Sequence, residues 1–228
     1  MMTTAHRNVA ALMTALTLGF SLSACSSMNR TGRGAAIGAA GGAAVGAVIG
    51  NQVGSTARGA IIGAAVGGAA GAIIGRQMDQ QAEELATSIP GATVQRVGEG
   101  IVVTFDSGLL FPFNSTDLLP AGRDNLRNLA ISLQENPETE VLIVGHTDSV
   151  GSDQYNQDLS VRRADAAAAI LSSNGIPRDR IRTSGRGEME PVADNETEVG
   201  RQENRRVEVA IFASEEYRER LLRNNPGE

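Results

Sequence analysis

Two opposite charges stand where a fold ordinarily avoids them. Asp148 follows the apolar run Val141-Leu142-Ile143-Val144, which predicts a strand buried on both faces. Arg163 falls on the apolar stripe of the next element, where Leu159, Arg163, Ala166 and Ile170 are spaced four, three and four apart. A charge on a buried stripe is costly unless something pairs with it. The pair could neutralise each other in an internal salt bridge. Alternatively, they could clamp a ligand that carries both a carboxylate and an ammonium. The planar guanidinium fork suits a carboxylate, and a carboxylate side chain accepts from an ammonium. A strand's carboxyl end beside a helix start is also where α/β folds tend to leave a crevice. Arg205 shares the parity of Val207, which gives it either a place in that crevice or a solvated strand end.

The elements that must position these residues follow from periodicity and punctuation. Gln77 to Ser88 predicts a polar connecting helix stopped by Pro90-Gly91. Val94 to Phe105 predicts two short strands about Gly98-Glu99-Gly100. Pro120 suits a first helical position, Leu126, Leu129, Ala130 and Leu133 share one face, and Asn136-Pro137 ends that helix. The strand Val141 to Thr147 precedes a helix from Asp153 to Ser173, stopped by Asn174-Gly175 and Pro177. Ile181 to Ser184 is short and extended, and Val207, Val209 and Ile211 alternate with Glu208, Ala210 and Phe212 in a last strand. The βαβ succession predicts a right-handed crossover and an α/β (α+β) sandwich with helices over one sheet.

Several of these segments form a fixed-order set. Ile101-Val102-Val103-Thr104-Phe105-Asp106 precedes Gly145-His146-Thr147-Asp148, and Asn156-x-x-Leu159-Ser160-x-x-Arg163 opens the helix. Gly185-Arg186-Gly187-Glu188, Pro191 to Asn195 and Gly200 to Glu208 complete the set. The set resembles the OmpA-like peptidoglycan-binding domain of bacterial envelope proteins, over more than half the chain. The resemblance implies a βαβαβ domain in which Asp148 and Arg163 hold the diaminopimelate of a wall peptide. It also implies that Thr147 and Asn156, with the Asn156–Ser160 segment, support the same pocket, and it needs no cofactor. Many members carry an acidic residue in the first ligand loop, where this chain has Phe111-Pro112-Phe113-Asn114.

The amino terminus reads as a targeting segment. His6 and Arg7 precede an apolar run, Val9 to Phe20, that is too short to span a bilayer. Leu22-Ser23-Ala24-Cys25 then resembles a bacterial lipobox, which implies cleavage after residue 24 and acylation of Cys25, the only cysteine. Ser26, not Asp, follows it; in the sorting rule such lipoproteins resemble, this favours the periplasmic face of the outer membrane. Residues 25–32 form the linker that follows.

Residues 33–78 repeat. Gly34, Gly38, Gly42, Gly46 and Gly50 fall every fourth residue, and so do Gly59, Gly63, Gly67, Gly71 and Gly75. Arginine (Arg33, Arg58) leads each block, and Asn51 to Ala57 reads as a turn. Such a period puts every glycine on one helical face and lets backbones approach closely. The segment resembles a glycine-zipper helical hairpin. Each block offers about sixteen apolar residues, or roughly 24 Å of helix, against a hydrocarbon core of roughly 30 Å. The hairpin is expected to associate with the membrane, while the same face would serve homo-oligomerisation or packing on another protein.

Charge marks the domain boundary. No acidic residue precedes Asp79, and the chain beyond residue 78 carries fifteen arginines against twenty-six carboxylates, a formal charge of −11. The expected organisation is a signal peptide (1–24), the lipidated linker, the hairpin, a connecting helix (79–92), the wall-binding domain (93–214) and a polar tail (215–228). An acidic domain with few aromatics argues against nucleic acid. His146 beside Asp148 would invite a hydrolase reading, but there is no Gly-x-Ser-x-Gly elbow and no His or Cys cluster to hold zinc. The leading expectation is therefore a lipid-anchored outer-membrane protein that binds peptidoglycan and is not an enzyme. A second is an assembly component of an envelope or secretion complex, oligomerising through its glycine helices. A stator-like third would need a spanning helix with an ionisable residue, and the sequence offers none.

Overall fold

The computed structural model describes residues 54–112 and 115–225. The signal peptide, Cys25 and the first glycine block lie outside the described residues. The elements run α1 (Thr56–Ala64), α2 (Gly68–Ser88), β1 (Thr93–Val97), β2 (Gly100–Asp106), α3 (Ser107–Leu110), α4 (Pro120–Glu135), β3 (Thr139–Gly145), α5 (Asp153–Ser173), β4 (Ile181–Gly185), α6 (Glu198–Asn204), β5 (Arg206–Ala213) and α7 (Glu215–Asn224). The strands form one sheet in the order β1-β2-β5-β3-β4. Among the described residues the only parallel pair is β3 with β4, as the βαβ succession through α5 requires.

Alternation along the strands sorts their side chains onto two buried faces. Ile101, Val103, Phe105, Ile143, Val209 and Ile211 point into the main core, where α2, α4 and α5 cover them with Met78, Leu85, Leu126, Leu129, Ala167 and Leu171. Val102, Leu142, Val144, Ala210 and Phe212 point the other way, and Ala57, Ala60, Ile61 and Ala64 of α1 cover them. The sheet thus carries helices on both faces. Every residue of β5 is buried, which the alternating Glu208 concealed in the sequence.

Three expectations are corrected. The second glycine block does not form one helix from Arg58 to Gly75: it breaks at Ala65–Gly67, between α1 and α2. Gly67 has φ +69°, and its N–H and that of Val66 donate to the Glu99 carboxylate at 2.7 and 2.9 Å. A Cβ on Gly71 would collide with the same carboxylate. Part of the four-residue glycine period therefore accommodates the β1–β2 turn. Second, the helix expected only to connect is a core element, with Met78 and Leu85 fully buried in α2. Third, the polar tail is helix α7. Ser214 caps it by accepting from the Tyr217 N–H, and Tyr217 and Leu221, four residues apart, pack against the core. No helix among the described residues is long and apolar enough to cross a membrane.

Close approach fixes α5, which carries most of the site. A Cβ on Gly145 would collide with the Ser160 carbonyl oxygen, and one on Gly185 would lie 2.5 Å from Ser160 Oγ. Two glycines at adjacent strand ends thus let the first turns of α5 lie directly on the sheet. Its buried stripe is Asn156, Leu159, Ser160, Arg163, Ala164, Ala167 and Leu171, while Ala166 and Ile170 are half-buried.

Candidate functional site

Beyond β3 the chain turns through Thr147 and Asp148 before α5 begins, and this turn floors a cleft of about 690 Å³. All five residues singled out in the sequence line it: Thr147, Asp148, Asn156, Arg163 and Arg205. Ser107, Phe111, Tyr155, Glu198, Arg201 and Gln202 line it as well.

Asp148 and Arg163 are not bridged to each other. Asp148 accepts from Arg205 Nη1 at 2.6 Å and, through its other oxygen, from the Val150 N–H at 3.0 Å. Arg205 also donates to Glu198 at 2.8 Å. Burial works against the charge of Arg205, but the hydrogen bonds to Glu198 and Asp148 outweigh it and raise its pKa. Glu198 responds in the opposite sense: hydrogen bonds from Arg205 and then Arg201 hold its carboxyl below the ordinary range.

Arg163 is 4% exposed. Its Nε donates to the Ser115 carbonyl at 3.2 Å, its Nη1 reaches Ser107 Oγ at 3.5 Å, and its guanidinium lies 5.3 Å from the centroid of the Phe111 ring. Among the described residues it has no carboxylate partner. Burial, the largest cause, lowers its pKa, with Arg205 contributing in the same direction. Arginine starts so high that the group remains a cation. Partial neutral contacts and a ring face offset only part of the cost of burying it.

Asn156 acts as a brace. Its Nδ2 donates to the Asp148 carbonyl at 3.2 Å and to Glu188 at 2.6 Å, locking the Asp148 turn to α5 and to the loop after β4. Thr147 N–H donates to the Gly187 carbonyl at 2.8 Å, while its buried hydroxyl has no partner among the described residues. Asn204 completes the frame: it holds the Val192 and Ala193 N–H groups and bonds Asn195, which accepts from Ser149 N–H.

Sequence reasoning missed Glu198, which lies on a short helix without apolar period, and Ser107, which lines the cleft beside Phe111. Arg201 and Gln202 stood within the quoted Gly200–Glu208 motif, but nothing in their spacing pointed at the cleft. Of the first ligand loop, Phe111 and Pro112 line the cleft, whereas Phe113 and Asn114 lie outside the described residues. His146 does not line it. The ring lies on the α1 side of the sheet, 3.8 Å from Glu208.

A model of the OmpA family matches residues 110–205, and a model of the YMGG-like Gly-zipper matches residues 1–79. The probable lipoprotein YiaD of Escherichia coli is 38% identical over 136 residues, which is 59% of this chain and 62% of that protein. The chain therefore spans less than two thirds of that relative. The outer-membrane lipoprotein YfiB of Pseudomonas aeruginosa is 41% identical over 115 residues, covering 50% of this chain and 68% of that one. Among solved structures, the cell wall anchor of the type VI secretion system of Pseudomonas aeruginosa superposes with a TM-score of 0.53 at 32% identity. It covers 59% of this chain and 97% of its own.

Proposed function

The chain belongs to the OmpA family, and on that footing we propose that it is an outer-membrane lipoprotein that holds peptidoglycan non-covalently. In this reading acylated Cys25 anchors the chain in the bilayer, and Asp148 and Arg163 clamp the diaminopimelate of a stem peptide. One observation carries the reading. Arg163 is a buried cation without a carboxylate among the described residues, and it opens onto the cleft that Asp148 lines. A ligand carboxylate would supply the missing counter-charge. The ligand ammonium would take Asp148, sharing it with Arg205 or displacing Arg205 toward Glu198. The Thr147 hydroxyl, buried and without a partner among the described residues, would add a hydrogen bond only by turning toward the ligand. None of the three relatives described above is named as an enzyme.

Each charge-assisted contact is worth about 1.5–3 kcal/mol, so losing one should weaken a monomeric ligand about ten- to a hundred-fold. On sacculi, avidity shrinks the apparent loss. The test is titration of Asp148→Ala and Arg163→Ala with diaminopimelate-containing wall peptide, alongside thermal melts. Lost binding with near-normal melting is expected. Undiminished affinity in well-folded variants would remove the clamp. A second reading, an anchor within a larger envelope machine, draws on the likeness to the secretion-system anchor and on the glycine blocks. A ring or higher oligomer of the purified protein would favour it.

A further inference from the structure

The sheet's second face changes character along its length. Under the middle and carboxyl end of α1 it is apolar, made by Val102, Leu142, Val144, Ala210 and Phe212. Under the amino end of α1 it is charged. There Thr56 donates to Glu190 through both its N–H (3.0 Å) and its hydroxyl (2.5 Å), and Ser55 Oγ donates to Glu208 at 3.2 Å. Arg186 donates to the Thr56 hydroxyl at 2.6 Å. Two buried carboxylates thus sit at a helix amino terminus, where the helix dipole favours negative charge. Both Glu190 and Glu208 are nearly inaccessible with α1 in place.

His146 is enclosed in the same cluster. It is 1% exposed, and neither ring nitrogen has a hydrogen-bond partner among the described residues. From β5 it faces Glu208 and Arg206. From the loop after β4 it faces Arg186, which is ion-paired with Glu190 at 3.4 Å. Toward α1 it is linked through Glu208, which accepts from Ser55 at the helix amino terminus, and Arg58 of α1 turns away to Gln95. Burial, then Arg206, then Arg186 push its pKa well below the ordinary value. A histidine held neutral in the closed form takes up a proton more readily once exposed.

The helix is built to leave locally. It has nine residues, too few to persist unsupported in water. Its seat is separate from the main core, to which none of its residues contributes. Its connection to α2 passes through Gly67 and Gly68, both at positive φ. The seat also selects this segment. Ile61 packs 2.6 Å from where a Gly100 Cβ would stand, and the equivalent position of the first glycine block, 25 residues earlier, is Ala36. The equivalent of Ser55 is Arg30.

We propose that α1 is an acid-released strap over the outer face of the sheet, held closed by Glu190 and Glu208 and held open by a proton on His146. Opening binds up to one proton below about pH 6.5, so the open population rises as pH falls there, by up to about tenfold per pH unit, and is flat above.

The experiment is amide hydrogen exchange on the full-length protein in detergent from pH 8 to pH 5, corrected for intrinsic rates. Opening of residues 57–64 should follow that profile while β3 and α4 stay protected. His146→Gln should remove the pH step. Glu190→Gln, which retains His146, should raise opening at every pH and keep the one-proton slope, so the proposal stays testable if the histidine variant fails to fold. A pH-independent α1 in both wild type and Glu190→Gln overturns it. So does loss of protection in β3 and α4 in step with α1.

Discussion

Arg163 sets function against stability within one side chain. Its cation is buried, and a neutral carbonyl, a hydroxyl at 3.5 Å and a ring face are its only partners among the described residues. Replacing it with a methionine of similar length removes a charge that Asp148 compensates only at a distance, and roughly keeps the volume. Arg163→Met should therefore melt at or above the wild-type temperature while losing wall-peptide binding. A drop of more than about 2 kcal/mol would mean that its neutral contacts, not the absent anion, dominate. Asp148 behaves differently, because Arg205 already neutralises it at 2.6 Å. The sequence could place these two charges in one crevice, since strand end and helical stripe are local properties. It could not show that Asp148 takes Arg205, because that pairing joins residues 57 apart through a turn whose path depends on the Asn156 and Asn204 braces.

The long helix α5 was legible almost to the residue, whereas the strand before it, expected at Val141 to Thr147, runs Thr139–Gly145. The α5 limits, Asp153 to Ser173, coincide with the expectation because Ser152 caps the start and Asn174-Gly175 ends the helix. Legibility failed where composition masked packing. Residues 77–88 read as a polar connection, yet Met78, Ala82, Leu85 and Ile89 are core residues spaced four, three and four apart. Leu85→Ala should therefore cost about 2–5 kcal/mol in urea unfolding. A solvated connector would lose less than about 0.5 kcal/mol. The glycine blocks misled for another reason. A four-residue glycine period signals that some backbone or side chain comes close, but it does not say which. Here Gly71 makes room for the Glu99 carboxylate, a contact across sequence that no local window contains.

At the scale of the whole molecule, the acidic folding unit begins earlier than the change in charge at Asp79 suggests. The main core is completed by α2 on one face of the sheet, and α1 covers the other. A chain cut to residues 93–228 should bind a hydrophobic dye and melt without cooperativity, whereas one starting at Gly54 should melt as the full chain does. Cooperative melting of the shorter piece at the full-chain temperature would restore the later boundary. Burial of the two faces by α2 and α1, both of which precede the family match (110–205), is a property of the assembled chain, and no single segment announces it.

The short loop from Gly185 to Glu190 touches both ends of the working molecule. Glu190 grips Thr56, the first residue of α1, while Glu188 and Gly187 grip Asn156 and Thr147 beside the cleft. If the chain tethers a membrane to a wall, tension enters near Ser55 and leaves through the ligand. Two short mechanical routes then join them without crossing the hydrophobic core: this loop, and the bond from Ser55 to Glu208 followed along β5 to Arg205 and Asp148. Force would be felt first by the polar latch under α1, and the layers that keep the domain folded would be shielded from it. A molecule wired this way yields at its strap before it surrenders its fold or its grip.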